Sequence, residues 1–174
     1  MPNYNGVWSL STQYQLADQW NSDNPLATKA IFAGGASSNV IQFVSVDTAG
    51  NTTDFGNLGA NTDNLASITS RTRYIGAGGD TGSNSNVIQF VEFATTGNTS
   101  DFGDLTVARA YLEGGSNGVI GVVGGGGNAG QDVMDWVTIA SAGDSADFGN
   151  LSIARDVMGA VSSPTRIVFA GGDS

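Results

Sequence analysis

Asp-Phe-Gly occurs three times, at Asp54, Asp101 and Asp147, and in phosphoryl transfer an aspartate in that triplet can hold magnesium against a nucleotide. The chain contains no histidine, so the His-Arg-Asp loop that such chemistry requires cannot exist. A triplet recurring at 47 and then 46 residues also belongs to a repeated unit rather than to one centre. The run Gly124–Gly130, GGGGNAG, satisfies the glycine spacing of a dinucleotide-binding turn, but no helical periodicity follows it, and an ordinary loop is expected. The oxygens of Asp47–Asp54 would suit a hard cation such as calcium. However, Ala94 and Ala140 stand where Asp47 stands, so capping of a turn by Asp and Asn side chains is the expected use. With neither histidine nor cysteine, the commonest general base, transition-metal ligands and thiolate chemistry are all missing. No enzyme, metal or cofactor is expected.

Six basic against sixteen acidic residues leave a net charge of −10, which repels phosphate backbones and anionic lipid heads, so neither nucleic acid nor membrane is an expected partner. No stretch reaches the roughly 18 consecutive apolar residues of a membrane span, and the opening MPNYNGVWSLST lacks the basic and apolar regions of an export signal. A soluble chain is expected. The sequons at Asn51 and Asn98 would matter only in a eukaryotic secretory route.

The groups above must be positioned by short strands. The stretch TGNTSDFGDLTVAR, Thr96–Arg109, has near-copies ending at Leu58 and at Arg155, and a period near 47 is that of propeller blades rather than helical solenoids. Each unit starts with an apolar strand ending in a glycine pair: ATKAIFAGG, RTRYIGAGG, NGVIGVVGG at Asn117–Gly125, and PTRIVFAGG at Pro164–Gly172. A second strand follows, SNVIQFVSV, SNVIQFVEF or QDVMDWVTI, apolar on both faces as a sheet between two sheets requires. Turns TAGN, TTGN and SAGD, with Gly50, Gly97 and Gly143 expected at positive φ, lead into the Asp-Phe-Gly strand. A last strand around Leu65–Ile68, Ala110–Leu112 or Val157–Val161 completes four strands per unit.

These signals predict an all-β fold of three four-stranded antiparallel repeats, as propeller-type blades or a three-sheet prism. The repeat domain spans 26–174, with units at about 26–70, 71–116 and 117–163 and a terminal strand at 164–174. Residues 1–25 read as a separate N-terminal docking arm. Within it, a short helix over Thr12–Trp20 is expected, and Trp8, Leu10, Tyr14 and Trp20 dock on a neighbouring chain or fold back on their own. The repeat core should be Phe55, Leu58, Phe102, Leu105, Phe148 and Leu151. The six basic residues fall at repeat-equivalent places, Lys29, Arg73 and Arg166 at one, Arg109 and Arg155 at another and Arg71 nearby, and should pair with Asp54, Asp101 and Asp147 across adjacent sheets. Loops that vary between units, carrying Asp80, Asn84, Asn128 and Gln131, are the candidate binding face. Because the chain opens and closes on the same strand, two copies could complete a six-bladed ring, and a homo-oligomer is expected.

The order of glycine pair, apolar strand, turn, aromatic, Leu three residues on and Arg four beyond that resembles the Kelch repeat over about Leu26–Gly172. In that family a Trp usually stands where this chain has Phe55, Phe102 and Phe148; Arg109 and Arg155 match its Arg, whereas the first unit has Thr62. The wording DFGDLTVAR and SNVIQFV also resembles repeat-bearing structural and tail proteins of bacteriophages, notably cyanophages. That resemblance implies a non-enzymatic virion protein, tail or capsid-associated, contacting other virion proteins and host surface glycan. Two other readings stay open: a glycan-binding or glycan-cleaving propeller, and a cellular Kelch-type interaction scaffold.

Overall fold

The computed structural model describes residues 29–127 and 131–174. Those residues form thirteen strands and no helix. The first sheet holds β1 (Lys29–Ala33), β2 (Val40–Ser45) and β3 (Thr53–Asn57). The second runs β4 (Ala66–Thr69), β5 (Arg73–Ala77), β6 (Val87–Glu92) and β7 (Ser100–Asp104). The third runs β8 (Glu113–Ser116), β9 (Ile120–Gly124), β10 (Gln131–Thr138) and β11 (Ala146–Arg155). A fourth has only β12 (Gly159–Ser163) and β13 (Arg166–Ala170). Every pairing is antiparallel and joins chain neighbours. Among the described residues, no strand pairing joins the first sheet to the last.

The grouping differs from the expected three units of four. The strand near Leu65–Ile68, read as closing the first unit, pairs instead with β5 and opens the second sheet. Its counterparts β8 and β12 open the third and fourth sheets, so the sheets contain three, four, four and two strands. The glycine pair of the third unit is also shifted by one. Gly34, Gly78 and Gly125 donate to equivalent carbonyls of the following strand, those of Val40, Val87 and Val133, which makes Gly125–Gly126 the pair and leaves Gly124 inside β9. A run of four glycines offers two registers, and the ladder chooses the second. The expected N-terminal helix and its Trp8, Leu10, Tyr14 and Trp20, as well as Asn128, lie outside the described residues.

Two apolar clusters fill the spaces between consecutive sheets. Ile41, Phe55 and Leu58 of the first pack with Tyr74, Val91 and Phe93 of the second. Ile88, Phe102 and Leu105 of the second face Leu112, Val123, Val137 and Ile139 across the next gap. Phe43 meets Phe55, and Phe90 meets Phe102, edge-on at 5.9 Å in both cases, the geometry aromatic pairs prefer. Phe148 departs from its expected core role: it is 56% exposed, and Leu151 is half-buried. Their sheet is followed among the described residues by two strands, and an open groove separates Met134 and Phe148 from Ile167 and Phe169 of β13.

Each linker passes through one left-handed residue at the same place in the unit: Asn64, Tyr111 and Val157, with φ of 53°, 60° and 49°. The conformation lets the Tyr111 amide reach the Asn64 carbonyl and the Val157 amide reach the Tyr111 carbonyl, at 3.0 and 3.1 Å. Asn tolerates this backbone, whereas a β-branched residue is strained in it. Replacing the exposed Val157 by Asn should therefore raise unfolding stability by about 1 kcal/mol, measured by denaturant titration; unchanged or lower stability would refute the strain.

Candidate functional site

The groups singled out in the sequence come together at the junctions between sheets. In each Asp-Phe-Gly strand the ladder slips by one residue. Ile41 pairs with Gly56 but Gln42 with Asp54; Ile88 pairs with Gly103 but Gln89 with Asp101; Met134 pairs with Gly149 but Asp135 with Asp147. The skipped residue is the phenylalanine, and a residue in a β-bulge loses its own ladder bonds. β3, β7 and β11 are also the edge strands of their sheets, so outward carbonyls are free for the next sheet. Gly97 donates to Phe55 O at 2.7 Å, and Gly143 donates to Phe102 O at 2.6 Å. Two residues on, Thr99 donates to Asn57 O at 2.9 Å and Ser145 to Asp104 O at 2.8 Å. The turn's Asn98 or Asp144 closes the joint, its Oδ1 accepting from the Asn57 or the Asp104 amide at 3.0 Å.

Only glycine permits this approach. A side chain on Gly56 or Gly103 would run into the carbonyls of Gly97 and Gly143, and both sit at positive φ, 152° and 147°. Of the turn glycines expected at positive φ, Gly143 adopts it at 157°, whereas Gly50 and Gly97 do not, and a side chain on any of the three would meet open space. Asp54, Asp101 and Asp147 are exposed, because the bulge sends the phenylalanine toward the neighbouring sheet and leaves the carboxylate in water. The expected pairing of the basic residues with them does not occur: the ion pairs among the described residues are Arg73–Glu92 and Arg109–Asp135.

Arg109 instead crosses to the third sheet. Its Nη2 donates to Asp135 Oδ2 at 2.6 Å and its Nη1 to Val133 O at 2.7 Å, while Thr106 Oγ1 donates to Asp135 Oδ1 at 2.6 Å. Both side chains of the pair are fully buried. Burial pulls the guanidinium pKa down, and the Asp135 charge pushes back. The junction before it uses a neutral pair at the same two places. Thr62 stands for Arg109 and Gln89 for Asp135, and Gln89 Oε1 accepts from the Gly59 amide at 2.9 Å and from Thr99 Oγ1 at 2.7 Å. Thr62, Gln89, Arg109 and Asp135 are the buried polar or charged side chains among the described residues, and all four belong to junctions. The sequence held a signal for this: where Thr becomes Arg, the Gln one unit ahead becomes Asp.

Three of the other bases, Arg73, Lys29 and Arg155, bind at the rim. Arg73 forks onto Glu92 of its own sheet at 2.7 and 2.5 Å, donates to Ile139 O of the next sheet at 2.8 Å, and lies 4.4 Å from the Phe90 ring centre. Lys29 makes the same crossing, donating to Phe93 O at 2.8 Å over the Phe43 ring. Arg155 donates to Gly171 O at 2.6 Å.

The candidate binding residues are less uniform than expected. Asp80 bridges to Asp63 and Asn84, and its Oδ1 accepts from the Gly82 amide at 2.8 Å, so its carboxylate shapes the turn. Gln131 begins β10 rather than lying in a loop, because its backbone pairs with Arg155. No group of three or more metal-ligating side chains occurs among the described residues. No family model matches the chain, and no curated protein matches it.

Removing either partner of the buried ion pair should cost about 3–5 kcal/mol, since the other charge is left uncompensated. Exchanging both for the neutral pair of the preceding junction, Arg109→Thr with Asp135→Gln, should cost at least 1 kcal/mol less than the sum of the single changes. A double-mutant cycle by denaturant unfolding checks this, and additive losses would refute the coupling. Tyr74 gives a pH effect: burial raises its pKa to about 12, partly offset by the Ser67 hydroxyl. The folded state keeps the proton that the unfolded state sheds near pH 10, so stability falls as pH rises from about 10 toward 12. Tyr74→Phe should blunt that alkaline loss, followed by circular dichroism; an unchanged alkaline transition would exclude Tyr74 as its source.

Proposed function

We propose that this chain is a non-enzymatic structural protein of a bacteriophage particle, built from Kelch-like units arranged as propeller-type sheets. Its role is geometric: rigid sheets hold loops toward other virion proteins or host surface glycan, and many copies turn weak contacts into avidity. The observation that supports this best is the use made of the buried polar groups. Gln89, Arg109 and Asp135 bond one sheet region to the next, and Thr62 is buried beside its own turn, as in a scaffold whose product is shape. The four-stranded antiparallel meanders of the second and third sheets suit the Kelch resemblance, and the virion assignment rests on the resemblance of the repeat wording to phage proteins.

The test is mass spectrometry of particles purified from a lysate of the host that carries this reading frame, alongside incubation of the purified chain with host polysaccharide. The chain should appear in the particle in multiple copies, and the polysaccharide should remain uncleaved. Absence from the particle, or hydrolysis, would overturn the proposal.

A further inference from the structure

The two ends of the sheet stack carry matching halves of the joint that twice links sheets inside it. On the far end, Phe148 is the bulged residue of β11, yet its carbonyl receives no turn glycine among the described residues. Gly149 keeps the positive φ of Gly56 and Gly103, 124°, but its open side meets nothing within 4 Å. Asn150 occupies the place of Asn57 and Asp104 and is exposed. A groove of about 450 Å³ lies between Ile120, Val122, Met134 and Phe148 on one side and Ile167 and Phe169 of β13 on the other. On the near end, Gly50, Asn51 and Thr52 repeat the turn Gly97-Asn98-Thr99 and are exposed. They hold no contact with a preceding sheet among the described residues. Val46, at the place of Phe93, is 63% exposed, and Phe32 is 57% exposed on the same side.

We infer that a second copy of this chain docks its β2–β3 hairpin on the open face of β10 and β11, repeating the internal joint between molecules. Gly50 of the second copy donates to Phe148 O, Thr52 to Asn150 O, and the Asn51 side chain accepts from the Asn150 amide. Val44 and Val46 then cover Phe148, as Val91 and Phe93 cover Phe55. β12 and β13 match β4 and β5, the first two strands of the second sheet, while β2 and β3 match β6 and β7. In the contact between copies β13 pairs with β2 of the second copy in exchange for that copy's own β1, which lines the same edge of β2 in the single chain, and Arg166 takes the position of Lys29. A guanidinium there can stack on Phe43 and reach the Phe93 carbonyl as Arg73 stacks on Phe90 and reaches Ile139 O, a grip that an ammonium cannot match. Because two different surfaces meet, the contact is head-to-tail. The inference stands on the junction geometry and is independent of the virion reading.

Because the chain has no cysteine, a designed disulfide reports the contact directly. Asn51→Cys with Asn150→Cys, both exposed in one copy, should give covalent dimers or higher ladders on non-reducing gels, with little from either single variant. Asn57→Cys with Asn98→Cys, the same pair at an internal junction, where the amide groups lie 3.4 Å apart, should close within one molecule and calibrates the geometry. Light scattering of the full chain should show mass rising with concentration to a discrete multimer or a growing series. Phe148→Lys or Arg166→Ala, both at exposed side chains, should weaken that association at least tenfold while leaving the circular dichroism spectrum unchanged. A monomer at all concentrations, an Asn51–Asn150 disulfide closing within one molecule, or no cross-link where the calibrating pair forms would each overturn the inference.

Discussion

The architecture depends on one displaced residue per unit. The Asp-Phe-Gly strands β3, β7 and β11 lie at the edges of their sheets, and an edge strand carries unpaired amides and carbonyls along its free side. The ladder slips at Phe55, Phe102 and Phe148, and at the first two of these the ring turns into the gap between sheets. There the free carbonyl binds the next turn and the ring fills the space between, so one short stretch supplies both a polar anchor and an apolar one. The glycine that follows keeps the surface bare where the next turn lies against it. Asp-Phe-Gly is thus a joint in this chain, and its recurrence reflects one joint per sheet.

Around that joint the side chains vary, and the variation is paired. The first junction buries Thr62 with Gln89; the second buries Arg109 with Asp135. One is held by hydrogen bonds to the Gln89 amide oxygen and the other by an ion pair fixed by Thr106 and the Val133 carbonyl, which leaves Arg109 Nε without a partner. A buried ion pair need not be worth more than a neutral one, because desolvation offsets most of the attraction. What it cannot tolerate is half of itself. The two positions are therefore bound to change together, while the backbone bonds beneath them stay the same.

Strand identity, the repeat and the all-β class were legible in the sequence because apolar alternation and glycine punctuation are local. Sheet membership was less so. The strand at Ala66–Thr69 follows the first Asp-Phe-Gly strand in sequence, and only pairing shows that it belongs with β5. The basic residues were expected on the repeated acids Asp54, Asp101 and Asp147, whereas Arg109 pairs with Asp135 of the next sheet. A bulge decides which side of a strand meets the core, and composition carries no trace of it. The Thr62/Gln89 and Arg109/Asp135 exchange was visible in principle, since it links positions 27 and 26 residues apart in register-matched units.

The unlike chemistry of the two internal junctions bears on how the chain folds. Neighbouring units with similar sequences can pair out of order and become trapped, the characteristic failure of tandem arrays. The backbone bonds at the joint are nearly the same at every junction and would accept a wrong neighbour. Setting Arg109 against Gln89, or leaving Asp135 facing Thr62, would strand a charge in an apolar gap. The change from amide to ion pair between one junction and the next therefore works as a lock and key for sequential order, making misassembled intermediates costly enough to come apart.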